Sequence, residues 1–191
     1  GLIKNSFPKL QKFLAEDCLK EIFDKFERKC HDLENHGITV VGYCEDRYPR
    51  KLSELNDPPA LLYSKGNITL LDIAEAVAVV GTRANSKRGE AITKRTVEFL
   101  SNEGFVTVSG LALGIDGIAH RAALDVGAKT IAVLVDIEKI MPSSHISLAE
   151  EILQSGGLLV SENPPNTSVV PALFAKRDRI QAGLSLAVFA I

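Results

Sequence analysis

The chain has 191 residues, 46% of them apolar and 24% charged, and its 22 basic and 24 acidic side chains leave a net charge of −2. That size predicts one compact domain with room for a small appendage, and the composition excludes a disordered, collagen-like or coiled-coil chain. A chain that coats nucleic acid by bulk positive charge is excluded as well, so any nucleic-acid site has to be a local patch. No apolar run reaches the roughly 20 residues that a membrane helix needs, and no signal-peptide pattern opens the chain. A soluble, cytoplasmic protein with no membrane partner is expected. The three cysteines, Cys18, Cys30 and Cys44, are odd in number and form no CxxC pair, which argues against a disulfide scaffold or a structural zinc. The chain opens on Gly1 and holds a single methionine, Met141, while Leu186 to Ile191 reads as a buried strand with nothing after it to cover it. Both ends are expected to be cut.

Leu14, Cys18, Ile22, Phe26 and Cys30 recur every four residues, and Leu19, Phe23 and Leu33 widen the same face. This predicts an amphipathic helix, with Asp17 as its cap, Gly37 as its stop and a solvated face carrying Lys20, Glu21, Asp24, Lys25, Glu27 and Arg28. Residues 1–37 therefore read as a small helical N-terminal unit. Residues 38–75 read as a linker that docks on the sheet. It contains Tyr48-Pro49, the breaker cluster Asn56-Asp57-Pro58-Pro59 and a short strand over Ala60 to Tyr63 that ends near Gly66-Asn67.

From residue 76 the pattern changes. Ala76 to Val80 (AVAVV), Phe105 to Val108, Thr130 to Val135, Leu158 to Val160 and Leu186 to Ile191 are continuous apolar strands. Between them lie helices predicted near Gly89 to Asn102, Ile115 to Val126, Ser147 to Gln154 and Ala172 to Ala182. Such alternation indicates an α/β fold of Rossmann-like type, a mostly parallel, doubly wound sheet covered on both faces, over residues 76–191.

In an open sheet of this kind, ligands sit beyond the carboxyl ends of the strands. The first loop there is Gly81-Thr82-Arg83-Ala84-Asn85-Ser86-Lys87-Arg88-Gly89, with two hydroxyls, two glycines, three cations and no acid. Free N–H groups at the following helix start, together with Arg83, Lys87 or Arg88, suit a phosphate. The second loop, Ser109-Gly110-Leu111-Ala112-Leu113-Gly114-Ile115-Asp116, adds a hydroxyl and glycines that let a backbone approach a ligand. Asp116 is a candidate helix cap or partner for Arg83. A third basic run, Phe174-Ala175-Lys176-Arg177-Asp178-Arg179, precedes the last strand and can reach the same edge. Together these define a phosphate-lined groove.

Catalytic signals are weak. His120 follows Asp116 by four residues, a spacing that most often makes a surface hydrogen bond. Asp136 and Glu138 end the third strand, and no serine stands in a GxSxG turn. GxGxxG and GxxxxGK[ST] are both missing, so NAD, FAD and ATP are disfavoured, and neither a cofactor nor a metal is expected.

Several motifs in order resemble the DprA/Smf family. Tyr48-Pro49, Asp57-Pro58-Pro59, Leu62-Tyr63 and Gly66-Asn67 match its linker. Val79-Val80-Gly81-Thr82-Arg83 with Ser86 and Gly89 matches its first loop, and Val108 to Ala112 with Gly114-Ile115-Asp116 and Ala119-His120 its most distinctive stretch. Ser161-Glu162, Pro164-Pro165, Phe174 through Arg179-Ile180 and Ala182 to Ser185 continue it. The resemblance implies a non-catalytic protein of natural transformation that binds and protects incoming single-stranded DNA, forms a homodimer and helps load RecA. It places Gly81, Thr82, Arg83, Ser86, Ser109, Gly110, Phe174, Arg177 and Arg179 at the DNA. Lys87, Arg88, Gly114 and Lys176 add to that set from the loops themselves, with Asp116 and His120 behind it. Asp136-Ile137-Glu138 and Asp178 depart from the family pattern and would weaken binding where they face the groove. Two other readings compete. One is a phosphoribohydrolase-type nucleotide enzyme, whose PGGxGTxxE signature is missing; the other is an interaction module that keeps the fold without the ligand.

Overall fold

The computed structural model describes residues 16–191, with side chains from Lys20 onward except that of Phe23. Two compact units divide at Gly37/Ile38. In the first, helix α1 (Glu16–Asn35) ends at Gly37, whose φ of +72° is the left-handed stop that a glycine supplies. Asp17 lies inside this helix, not at its cap. Ile22 and Phe26, from the apolar stripe, are exposed, and Leu14 lies outside the described residues.

The second unit is built on a seven-stranded sheet of order β1-β2-β6-β5-β4-β3-β7. Its strands are β1 (Ile38–Gly42), β2 (Leu61–Gly66), β3 (Ala76–Val80), β4 (Val106–Ser109), β5 (Thr130–Val133), β6 (Leu158–Ser161) and β7 (Ala187–Ala190). The five from β3 onward run parallel, and β2 and then β1 add antiparallel at one edge. Residues 38–75 thus join the sheet as two strands. Tyr48 is fixed there by its hydroxyl, which donates to the Pro59 carbonyl at 2.7 Å. That bond ties the Tyr-Pro and Pro-Pro signals into one corner. Between β1 and β2 lies the short helix α2 (Arg50–Ser53).

The connecting helices are α3 (Lys87–Asn102), α4 (Ile115–Asp125), α5 (Ile146–Gln154) and α6 (Pro171–Leu184). Alternation within β3 divides the core, because successive side chains of a strand point to opposite faces. Val77 and Val79 pack with Val97 and Leu100 of α3 and Ile115, Ala119 and Ala123 of α4. Ala76 and Ala78 pack with Ile180 and Leu184 of α6 and with Leu52 and Leu62. The small alanines on that side let α6 lie close to the sheet.

β7 returns to pair with β3 on the side opposite β4, so the direction of winding reverses at β3. The apolar last strand, read from the sequence as lacking cover, stands at the sheet edge, with Leu186, Val188 and Phe189 exposed. Among the described residues no helix is long and apolar enough to cross a membrane.

Candidate functional site

The carboxyl ends of β3 and β7, the loop after β4 and the first turns of α6 enclose a groove of about 450 Å3. It sits at the winding reversal, where open α/β sheets leave a crevice between helices that depart to opposite faces. Gly81, Arg83, Ala112, Asp116, Phe174 and Arg177 are among its walls, as are Asp178, Gln181 and Val188.

Arg83 is solvent-exposed and stands over the ring of Phe174 at 5.8 Å from the centroid. A guanidinium over an aromatic face is held by the ring quadrupole, and the pair forms a flat cationic platform at the mouth. No ion pair engages Arg83 among the described residues. Thr82 is exposed beside it, its hydroxyl accepting from Ala84 N at 3.2 Å and its carbonyl from Ile115 N at 3.1 Å. Gly114 takes φ +78° and lies against the backbone of Thr82 and Arg83, so a side chain there would collide with the first loop.

The floor is different. Arg177 is 4% exposed. Its guanidinium lies against Gly110, where any Cβ would overlap it, which is why the loop carries glycine at that point. Nη2 lies 3.8 Å from Asp116 Oδ2 and Nε lies 3.4 Å from Asp178 Oδ1, while Nε and Nη1 make no hydrogen bond among the described residues. Burial lowers the Arg177 pKa, countered by Asp116 and Asp178, though a guanidinium stays charged throughout. Burial likewise pushes the Asp116 carboxyl up, against the pull of Arg177 and of the N–H groups of Ala112, Gly81 and Gly110.

Other residues of the expected set do not reach the groove. Ser109 is fully buried and its hydroxyl donates to the Val79 carbonyl at 2.6 Å, tying β4 to β3. Ser86 is the N-cap of α3, accepting from Gly89 N at 3.1 Å. Lys87 and Arg88 are exposed in the first turn of that helix, outside the groove walls. Lys176 pairs with Glu162 at 3.4 Å. Arg179 is fully engaged: Nη1 and Nη2 donate to the two oxygens of Glu162 at 2.8 and 2.7 Å, and Nε donates to the Asp57 carbonyl at 3.0 Å.

The surface hydrogen bond expected of His120 is corrected by its position. It is 0% exposed, and its Nδ1 meets Thr130 Oγ1 at 2.8 Å, whose hydroxyl donates to the Thr107 carbonyl at 2.7 Å. Since that hydroxyl proton is used, Nδ1 carries the ring proton and donates. Burial drives the His120 pKa down to about 3, so it is a neutral core histidine. Asp136 is also buried, its Oδ1 accepting from Glu138 N and Lys139 N at 2.9 and 3.2 Å, whereas Glu138 is exposed. Gln181, a groove wall at 2% exposure, was not singled out from the sequence. Its position four residues after Arg177, on the same helical face, was the signal available.

Fold and groove together define a Rossmann-like domain whose crevice offers a cationic, aromatic mouth and a charge-balanced floor. The family model for DNA recombination-mediator protein A matches residues 39–191, and the chain belongs to that family. It is 32% identical over 174 residues to the DNA processing protein DprA of Bacillus subtilis (strain 168), covering 91% of this chain and 58% of that protein. With Protein Smf of Escherichia coli (strain K12) it shares 41% over 160 residues, covering 83% of this chain and 42% of that one. The chain spans about half the length of the curated relatives it matches. Among solved structures, DNA processing protein A from Streptococcus pneumoniae superposes with a TM-score of 0.75 at 41% identity, covering 80% of this chain and 53% of that one. DNA processing protein A from Helicobacter pylori, described for its single-stranded DNA binding mode, superposes at 0.72 and 32% identity, covering 80% and 68%.

Proposed function

We propose that this chain is the Rossmann-like part of a non-catalytic, single-stranded-DNA-binding protein of DNA uptake and transformation, and that the strand crosses the groove mouth. The observation that carries this reading is the Arg83–Phe174 platform at the winding reversal, a guanidinium with no ion pair among the described residues lying over the face of a half-buried aromatic ring. Single-strand binders combine backbone-tracking cations with stacking surfaces, and this pair supplies one of each. Lys87 and Arg88, exposed in the first turn of α3 outside the groove walls, offer further cations to a strand that continues past Arg83. Arg177 acts from below, giving the floor its shape more than it gives the strand a charge. The described relative from Helicobacter pylori supports single-stranded DNA as the ligand. Protection of incoming strands, RecA loading and homodimer formation are proposed for the whole protein.

The test is fluorescence anisotropy of a labelled thymidine oligonucleotide at two salt concentrations, with wild type and Arg83→Ala. Wild type is expected to bind with salt-sensitive affinity, and each lost phosphate contact should flatten the log–log salt slope by roughly 0.7. Arg83→Ala should weaken binding about tenfold without loss of fold. A folded wild type that binds no oligonucleotide would overturn the reading in favour of an interaction module.

A further inference from the structure

A second and much smaller void of about 10 Å3, which shares Phe174 and Arg177 with the groove, has Gly110, Asp136, Lys139 and Met141 among its other walls. Two of these residues are buried and hold open hydrogen-bonding capacity. Among the described residues, Arg177 Nη1 has no hydrogen-bond partner, and neither has Oδ2 of Asp136, which is 2% exposed. The other oxygen of Asp136 is committed to the turn, accepting from Glu138 N and Lys139 N. No ion pair joins Asp136 to Lys139 or directly to Arg177 among the described residues. Two residues, one holding an open donor and one an open acceptor, therefore line one void of roughly a water's size, and a bridging water needs polar partners on both sides.

We propose that Asp136 holds Arg177 through a single bridging water and thereby acts as a positioning residue that limits the groove's affinity for single-stranded DNA. The affinity half of this inference rests on the single-strand reading above. With this bridge, Arg177 faces three carboxylates: Asp116 at 3.8 Å, Asp178 at 3.4 Å and Asp136 across the water. One guanidinium among three carboxylates presents no net positive charge to a phosphate. The floor therefore shapes the crevice, and attraction falls to Arg83 at the mouth. Asp136 also links the turn after β5 to α6, so the guanidinium is held from the sheet side as well as from its own helix.

Two measurements decide it. A high-resolution crystal structure of the wild-type chain should show one ordered water within hydrogen-bond distance of both Arg177 Nη1 and Asp136 Oδ2. A direct ion pair, or a dry void, overturns the bridge. This outcome does not depend on any DNA binding. In parallel, Asp136→Asn keeps an oxygen for the turn and removes the charge. It should bind a thymidine oligonucleotide about threefold more tightly at low salt, an advantage that fades as salt screens the groove. Glu103→Gln, an exposed change of the same charge on the far end of α3, is the control and should leave affinity unaltered. Equal affinity for Asp136→Asn and the control overturns the affinity role. If neither they nor wild type binds, the single-strand reading fails instead, and the crystal structure alone decides the bridge. Should Asp136→Asn not fold, Asp178→Asn, an exposed substitution beside the same guanidinium, should give the same threefold gain, and no gain there overturns the role.

Discussion

Two loops with the same vocabulary of glycine and hydroxyl leave neighbouring strands and end in opposite environments. The loop after β3 keeps Thr82, Arg83, Lys87 and Arg88 in solvent. The loop after β4 buries Ser109, Gly110 and Asp116 under Arg177. The difference comes from position in the sheet. β4 lies between β3 and β5, and α6 lays Arg177 over its end, so the glycine there makes room for protein. β3 ends at the winding reversal, where neighbouring helices diverge and the loop stays open. The lesson is that a glycine-rich strand–helix loop marks a close approach without saying whether ligand or protein approaches.

The sharpest way to break the comparison is to remove each arginine. Arg177→Ala leaves Asp116 buried without its cation and a hollow over Gly110, at an expected cost of about 4 kcal/mol in urea denaturation. Arg83→Ala should leave stability within about 0.5 kcal/mol while it weakens DNA binding. If both substitutions act alike on stability, the distinction between mouth and floor fails.

The second effect concerns acid. His120 has its pKa depressed from the usual 6.5 to about 3, so the unfolded chain takes up a proton that the folded chain refuses. Stability contributed by this group is full above pH 6.5 and falls as the pH drops toward 3, by about 3 kcal/mol between pH 6.5 and pH 4. His120→Leu should flatten this limb, measured as urea midpoints across pH. An unchanged limb would mean that His120 is not the proton-refusing group.

A smaller effect separates Arg179 from the groove. Arg179→Ala should cost about 1–2 kcal/mol through its forked bond to Glu162 and leave oligonucleotide affinity within twofold. Burial raises the Glu162 pKa, but the bonds from Arg179 and the charge of Lys176 outweigh it and hold the carboxyl below its usual range. The pair's contribution is therefore present above the ordinary glutamate pKa and fades as the pH falls below it. A loss of binding with Arg179→Ala would return that residue to the interface.

Much of the fold was legible because it rests on local pattern. AVAVV could only be a strand buried on both faces, and β3 occupies those five residues. Helix α3 starts two residues earlier than its apolar period suggested because Ser86 takes the cap. β1 was hidden in the supposed linker, since its pairing with β2 is fixed by contacts between residues 19 to 27 positions apart, from Gly42 with Leu61 to Ile38 with Lys65. The groove was legible as a neighbourhood and through Gly81, Arg83, Asp116, Phe174 and Arg177, which line it, whereas Ser86, Ser109 and Arg179 do not. Arg177 and Arg179 stand two apart on α6, so they diverge around the helix, and that geometry alone could have separated them. The burial of Ser109 and His120 was not legible, because it depends on which helix lies over the end of β4. Phe174 was legible as a residue of the DNA-facing set, but its pairing with Arg83 was not, since the two lie more than ninety residues apart in the chain.

The most direct test of the central claim is to map amide shifts by NMR as an unlabelled thymidine oligonucleotide is titrated into the isotope-labelled chain. The account predicts the largest changes at residues 81–88 and around Phe174, smaller ones at Gly110 and Ala112, and none around Glu162 and Arg179. Changes confined to the Glu162–Arg179 side, or their absence throughout at saturating oligonucleotide, would contradict it.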